Sequence, residues 1–330
     1  MTRLELEWGR HHPAVFGVAY RLFGTVADAE DVVQDVWLRA SEADLSRVED
    51  LRAWLVTVAA RRCYDLLTSA RARRETYVGP WLPEPVLTGP DAAEPVMVDD
   101  TVTTAMLLVL QQLTPPERVA FVLHHAFELP HEQIAQLLGK NTAACRQLTS
   151  RAARKLRGVA GSAKASRAEQ ARVLEAYQAA REEGDFKQLV ELLAPDVVYI
   201  TDGGGNISAA RKPINGAQRV ATVLIRAALR WGPEVLVPAE VNGGPGMLVY
   251  RRGALAGSTT FETADARITT IRTVLNPEKL SRLPSRCAVL RRLPDESDDM
   301  RENDNGQATD PDRDRARGVQ RLHRGGPGTA

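Results

Sequence analysis

Cysteine is scarce in this chain: Cys63, Cys145 and Cys287 are odd in number, far apart and without C-x-x-C spacing. That excludes a disulfide framework and a thiolate zinc site, so no metal is expected, and a reducing, cytoplasmic location is. Long apolar runs are missing as well. No segment approaches the roughly 20 apolar residues that a membrane-spanning helix needs, and the N-terminus has no signal-like stretch, so no membrane partner is expected. Net charge is almost nil, +1 from 43 Lys and Arg against 42 Asp and Glu. This average hides segregation: acids gather near 27–37 and 91–100, arginines at 61–74 and 146–154, which keeps charged interaction surfaces in play. Histidine is absent from 168–285, all six standing at His11, His12, His124, His125, His131 and His323. That stretch therefore lacks the commonest general base. What is present is a 44% apolar fraction over 330 residues, enough for two or three domains with cores.

The most specific segment is Leu129 to Arg157, LPHEQIAQLLGKNTAACRQLTSRAARKLR. Ile134, Leu137 and Leu138 recur at helical spacing, Gly139 supplies a sharp exit, and Asn141 or Thr142 can cap a second helix. Ala144, Leu148, Ala152 and Leu156 give that second helix an apolar stripe. Its other face carries Arg146, Gln147, Ser150, Arg151 and Arg154, side chains able to reach base edges or phosphates. The pattern is that of a helix-turn-helix, although an ordinary solvated basic face has the same composition.

Two earlier blocks differ from it in chemistry. ADAEDVVQDVW (27–37) predicts an acidic amphipathic helix, and acids repel phosphates, so a protein partner suits it better than DNA. LRAWLVTVAARRCYDLLTSARARR, from Leu51, runs from an apolar helix with Trp54, Leu55, Val58, Leu66 and Leu67 into Arg61, Arg62, Arg71, Arg73 and Arg74. These arginines suggest a surface that tracks phosphates. The polar loop Ser41 to Asp50 between the two helices is a place to capture an unstacked base.

In this order, and with LTPPERVAFVLHHAFELPHEQIAQLLG ahead of the basic helix, residues 8 to about 160 closely resemble bacterial extracytoplasmic-function sigma factors. The resemblance implies two all-α modules: region 2 at 1–76, and region 4, a helix-turn-helix, at 101–160, joined by a linker at 77–100. It implies core RNA polymerase as partner, through the clamp helices of the largest subunit and the flap of the second-largest, together with promoter DNA. Carried over by position, Asp28, Glu30, Asp31, Gln34, Asp35 and Trp37 would face polymerase. Arg61, Arg62, Tyr64 and Asp65, with Arg71, Arg73 and Arg74, would handle the minus-10 strand. Arg146, Gln147, Ser150, Arg151 and Arg154 would read the minus-35 duplex. One departure is that relatives often carry asparagine near Arg62, where this helix has ARRCYD.

Such a factor would stop near residue 160, yet the chain continues. Helical patterns at Arg172–Glu182 and up to Leu193 flank an EGDF turn, and VVYI and the runs 234–241, 247–251, 257–262 and 268–274 read as strands, which predicts an α+β unit at 168–285. This pattern resembles the SnoaL-like cone. Asp202, Gly203, Gly204 and Gly205 (DGGG), Asn276, Pro277, Glu278, Lys279 and Leu280 (NPEKL), and Trp81, Leu82, Pro83, Glu84 and Pro85 (WLPEP) are similar to motifs of the sigma-factor group with a fused SnoaL-like domain. The resemblance implies that the extension sits against regions 2 and 4 and tunes their activity, with the WLPEP linker as contact and Trp81 as apolar anchor. On their own, the glycines read as a loop, WLPEP as a spacer, and NPEKL as a short helix capped by Asn276.

A small hydrophobic ligand in the cone, lined by Tyr177, Tyr199, Trp231 and Phe261, is a further expectation, although the same aromatics make ordinary core. No cofactor is expected. Two rivals remain: a polymerase-independent helix-turn-helix regulator, which has no use for the acidic helix, and a cone enzyme with only Asp196 and Asp202 as bases. Residues 86–100 are expected to form a mobile tether, and 286–330 a disordered tail.

Overall fold

The computed structural model describes residues 2–69, 77–88, 102–160, 166–232 and 234–284, with the backbone alone at 157–160. Arg71, Arg73 and Arg74, most of the expected tether and the tail therefore lie outside the described residues.

Three helices open the chain: α1 (Arg3–Phe23), α2 (Val26–Glu42) and α3 (Leu51–Ser69). A capping box between Thr2 and Glu5 starts α1, and Gly24, at φ 74°, ends it, a left-handed turn that glycine adopts without strain. The expected base-capturing loop is shorter than 41–50, since α2 continues to Glu42 and Leu45–Arg47 form a 3-10 turn.

Four more helices follow: α4 (Thr104–Gln112), α5 (Pro115–Phe127), α6 (His131–Leu138) and α7 (Thr142–Ala160). Thr114, Pro115 and Glu117 start α5 with a capping box and a proline in the first turn, positions where proline has no N–H bond to lose. The two helical modules share one apolar core, in which Val18 and Leu22 of α1 and Leu55 of α3 belong with Leu110 of α4 and Val119 and Leu123 of α5. Polar groups close the joint. The buried guanidinium of Arg118 donates from Nη1 to the Leu22 carbonyl (2.7 Å) and to Gln111 Oε1 (2.8 Å). The buried Arg21 lies 5.5 Å from the centre of the Phe127 ring.

The remainder is the α+β cone: α8 (Arg167–Glu183), α9 (Phe186–Leu192), β1 (Leu193–Asp202), β2 (Ile214–Asn215), α10 (Ala217–Trp231), β3 (Glu234–Val241), β4 (Gly244–Arg251), β5 (Ala254–Ala264), β6 (Arg267–Val274) and α11 (Pro277–Leu280). The sheet order is β2-β1-β6-β5-β4-β3, with β1 and β6 parallel and the other pairs antiparallel. Register shifts at Val249/Tyr250 and Glu262/Thr263 mark irregularities of the kind that bend a sheet. Pro238 lies in β3 at the edge of the sheet, where a missing N–H is tolerated.

Helices α8, α9 and α10 cover one face over a core that includes Tyr177, Leu189, Val220, Leu224, Phe261 and Ile271. Sequence reasoning missed α10 and began β4 three residues late, because Gly244, Pro245 and Gly246 mask that strand. The unbroken burial of Gly246 to Tyr250 shows that β4 is covered on both faces. Part of its outer cover is Leu87 of the linker. Residues 86–88 are therefore held against the cone, which corrects the expectation of a tether from 86: Leu87 bridges Val241, and Thr88 N–H donates to the Glu240 carbonyl at 3.0 Å.

Candidate functional site

The basic helix α7 starts where Asn141 Oδ1 accepts the Ala144 N–H at 2.7 Å, the side-chain cap its sequence suggested. Its buried stripe is Cys145, Thr149, Ala152 and Leu156. Ala144 and Leu148, expected there, are only half-buried, so the inward face is rotated by about one residue. Arg146, Gln147, Ser150, Arg151 and Arg154 all lie on the exposed face. Arg146 is 3.4 Å from Glu132 of α6, an exposed pair of small energetic weight.

On α2, Asp28, Asp31 and Gln34 are exposed, whereas Glu30, Asp35 and Trp37 are half-buried. Each of these last three has a partner. Trp37 packs edge-on against Trp8, 4.8 Å between ring centres. Arg62 of α3, expected to handle DNA, pairs with Asp35, expected to face polymerase. Glu30 pairs with Arg282, which follows α11 of the cone. Arg61 and Asp65 are exposed and Tyr64 half-buried.

Residues 77–88 form a strap between the helical modules and the cone. Its centre is a carboxylate: Asp202, at the end of β1, is 0% exposed. Asp202 Oδ1 accepts the Tyr77 hydroxyl (2.5 Å) and the Gly204 N–H (3.1 Å), while Oδ2 accepts the Leu82 N–H (2.8 Å) and Lys279 Nζ (2.8 Å). Lys279 also donates to the Leu82 carbonyl at 2.5 Å and lies 4.9 Å and 4.6 Å from the Tyr77 and Trp81 ring centres. A buried charge is tolerated only when it is paired and hydrogen-bonded, and this one is both. Burial, and next the adjoining Asp202, push the Tyr77 phenol well above its ordinary value, so it stays a donor at neutral pH.

The DGGG and NPEKL motifs meet here. A Cβ on Gly204, at φ 62°, would fall 2.4 Å from the Asn276 amide; Asn276 accepts the Glu278 N–H at 3.2 Å and so caps α11, with Pro277 in its first turn.

The strap touches both neighbours, the cone through Leu82 and the helical modules through Trp81 and Glu84. Leu82, 1% exposed, packs with Val274 and Leu280 of the cone, and is the buried apolar anchor; Trp81 is half-buried and lies over Gly24. Glu84 N–H donates to the Gly24 carbonyl (2.8 Å), and its carboxylate accepts the Val26 N–H (2.8 Å) at the start of α2, where helix geometry favours an anion. Burial pushes the Glu84 carboxyl upward, partly offset by that bond.

Asn242, in the β3–β4 turn at φ 51°, joins all three parts. Its Oδ1 accepts the Val86 N–H (2.9 Å) and lies 3.0 Å from the Tyr20 hydroxyl of α1; its Nδ2 donates to Thr104 Oγ1 of α4 (3.2 Å). Tyr20 donates to the Glu84 carbonyl at 2.5 Å. Sequence reasoning missed Tyr20, Tyr77, Thr104, Arg118, Asn242 and Arg282. The Asn242-Gly243 pair signals a hairpin turn, but nothing in its spacing foretells contact with α1.

Comparison with known proteins agrees with this geometry. Residues 8–73 match the model of sigma-70 region 2, and residues 103–156 that of sigma-70 region 4. The chain is 39% identical over 299 residues to the ECF RNA polymerase sigma factor SigJ of Mycobacterium tuberculosis, covering 85% of this chain and 93% of that one. It is 34% identical over 282 residues to the probable ECF RNA polymerase sigma factor SigI of the same organism, covering 84% and 94%. The crystal structure of M. tuberculosis SigJ matches with a TM-score of 0.68 at 36% identity, over 84% of this chain and 97% of that one.

Proposed function

Since the chain belongs to the extracytoplasmic-function sigma factors, we propose that its strap and cone form a latch that holds regions 2 and 4 closed until polymerase is engaged. The chain is a transcription initiation factor rather than an enzyme, and its partners are core RNA polymerase and promoter DNA. In our reading, α2 meets the clamp helices of the largest subunit, the α4–α7 module meets the flap, α3 with the 43–50 segment handles the minus-10 strand, and α7 enters the minus-35 major groove. The working location is the cytoplasm. Among the described residues no helix is long and apolar enough to cross a membrane.

The observation that carries the latch is the Asn242 hub, where one side chain of the cone reaches α1, the strap and α4 together. Geometry adds weight. The minus-10 and minus-35 elements lie about 25 base pairs apart, roughly 85 Å of duplex at 3.4 Å per step. Modules that share one core, with Arg118 bonded to Leu22, do not span that length. Engagement of both elements therefore requires the modules to part, and each strap contact opposes parting. The Glu30–Arg282 pair also occupies an acid of the polymerase-facing helix.

The test is multi-round transcription by core polymerase with native protein, Leu82→Ala or Asn242→Ala. Both variants are expected to reach half-maximal transcription at lower sigma concentration, because less free energy opposes opening. Unchanged or weakened transcription from folded variants would contradict the latch.

A further inference from the structure

Inside the cone, α8, α10 and the sheet enclose a cavity of about 170 Å³. Tyr177, Tyr199, Leu224, Val249 and Phe261 give it apolar walls. At one end stands a charge cluster that the latch does not use. Glu234 Oε2 pairs with Arg181, and Glu234 Oε1 accepts Arg251 Nε (2.8 Å) and Nη2 (2.6 Å). Two guanidinium groups share one carboxylate, so the cluster carries a net charge of +1 inside a largely apolar wall. The Arg181 side chain is 8% exposed, and its Nε is buried without a partner among the described residues. The single carboxylate leaves one guanidinium charge of the cluster uncompensated, which favours an anion in the adjoining space.

The neighbouring groups cannot supply the missing anion. Burial raises the Tyr177 phenol and pushes Tyr199 up to about 12, so both remain neutral donors at neutral pH. Size limits the rest, since an apolar cavity of about 150 Å³ holds one benzene ring.

We propose that this cavity is a binding site for a small aromatic monocarboxylate, its ring against Tyr199 and the edge-to-face pair of Tyr177 and Phe261, and its carboxylate against Arg181 and Arg251. A carboxylate suits the place because a guanidinium N–H donates a short, charge-assisted hydrogen bond to it. Thr201 and Leu275 also line the cavity and directly precede Asp202 and Asn276, the strap's anchors. An effect of occupancy on the strap follows from that placement, and this second step rests on the latch reading.

The test of the site is calorimetric titration of the full chain with benzoate, benzyl alcohol and benzylamine. Benzoate is expected to bind one to one, at least tenfold more tightly than the alcohol, with no binding of the amine. Arg251→Gln leaves Glu234 paired to Arg181 but brings the cluster to neutrality, so it is expected to remove the preference for benzoate over the alcohol. Ala227→Phe keeps all three charges and fills the space, and is expected to abolish binding of both. Native melting behaviour of each variant confirms its fold. No saturable benzoate binding, equal affinity for benzoate and alcohol, or full benzoate affinity in either folded variant would overturn the site. Coupling is read separately, as a benzoate-dependent change in transcription by native protein that Arg251→Gln lacks. Binding without any such change would overturn the coupling and leave the site standing, whereas failure of the latch itself would appear in the Leu82→Ala and Asn242→Ala experiment.

Discussion

Replacing Lys279 with Met isolates the strap's charged centre. The substitution keeps the length and apolar stem of the side chain but removes the ammonium 2.8 Å from Asp202 Oδ2 and 2.5 Å from the Leu82 carbonyl. Asp202 is fully buried, and removing one partner of a buried pair costs about 3–5 kcal/mol, because the other charge is left uncompensated. Tyr77, Leu82 and Gly204 still donate to the carboxylate, so the low end, about 3 kcal/mol, is expected. At roughly 1.4 kcal/mol per decade, that is about a hundredfold rise in the undocked strap. Native-state proteolysis measures it, since cleavage at Tyr77 and Trp81 follows the open population when reclosing is fast. The double variant with Asp202→Leu no longer carries the orphaned charge and is expected to be cleaved more slowly than Lys279→Met alone. Cleavage of Lys279→Met at the native rate, or a double variant equal to the sum of both single effects, would show that the Lys279–Asp202 pair does not hold the strap.

Three further outcomes follow from the same contacts. Gly204→Ala places a Cβ at positive φ and against Asn276, so strap docking is expected to weaken by about 1–3 kcal/mol, read by the same proteolysis; native protection would contradict the close approach. Arg151→Ala is expected to lower the affinity of the protein–polymerase complex for minus-35 duplex, by about 1–3 kcal/mol with altered sequence preference if Arg151 contacts a base, or uniformly if it contacts phosphate; fluorescence anisotropy over a set of duplexes separates these, and an unchanged affinity would remove Arg151 from the reading face. The third concerns pH. Burial, then the neighbouring His124, and then His131 for His125 and Arg146 for His131, depress both histidines below 6.5, with Glu132 partly opposing at His131. The folded chain therefore binds fewer protons than the unfolded one, and this contribution is present above about pH 6.5 and lost as pH falls through the depressed values. The melting temperature is expected to fall between pH 7.5 and 5.5, less steeply in a His125→Gln, His131→Gln double variant; parallel profiles would remove the histidines as the cause.

The helical half was legible because its signals are local. The apolar spacing of α6 and α7, the Gly139 exit and the Asn141 cap lie within a few residues of what they determine, and the basic face of α7 emerged as expected, with its buried stripe turned by one residue. The cone was legible in class from alternating strands bounded by turns. Helix α10 was lost among segments read for alternation, and the start of β4 was hidden by Gly-Pro-Gly. The strap shows the limit more plainly. WLPEP, DGGG and NPEKL drew notice through resemblance, but their composition reads equally as spacer, loop and cap. What unites them is Lys279 meeting Asp202 across 77 residues of sequence and Asn242 meeting Tyr20 across 222. Such long-range pairs leave no periodic trace. Burial also reversed one expectation: Leu82, not Trp81, fills the apolar socket, because the Trp81 ring is taken up by Gly24 and Lys279.

In the proposed latch, the two promoter-reading modules are held together by the cone and must separate to work. The most direct measurement is the energy-transfer distance between dyes at Glu42→Cys of α2 and Ala143→Cys of α7, both exposed positions, in a chain with Cys287→Ser. A latched protein gives high transfer when free and a fall to near zero on addition of core polymerase and promoter DNA, with Lys279→Met already lower when free. High transfer retained in a transcribing complex, or low transfer in the free native chain, would contradict the latch.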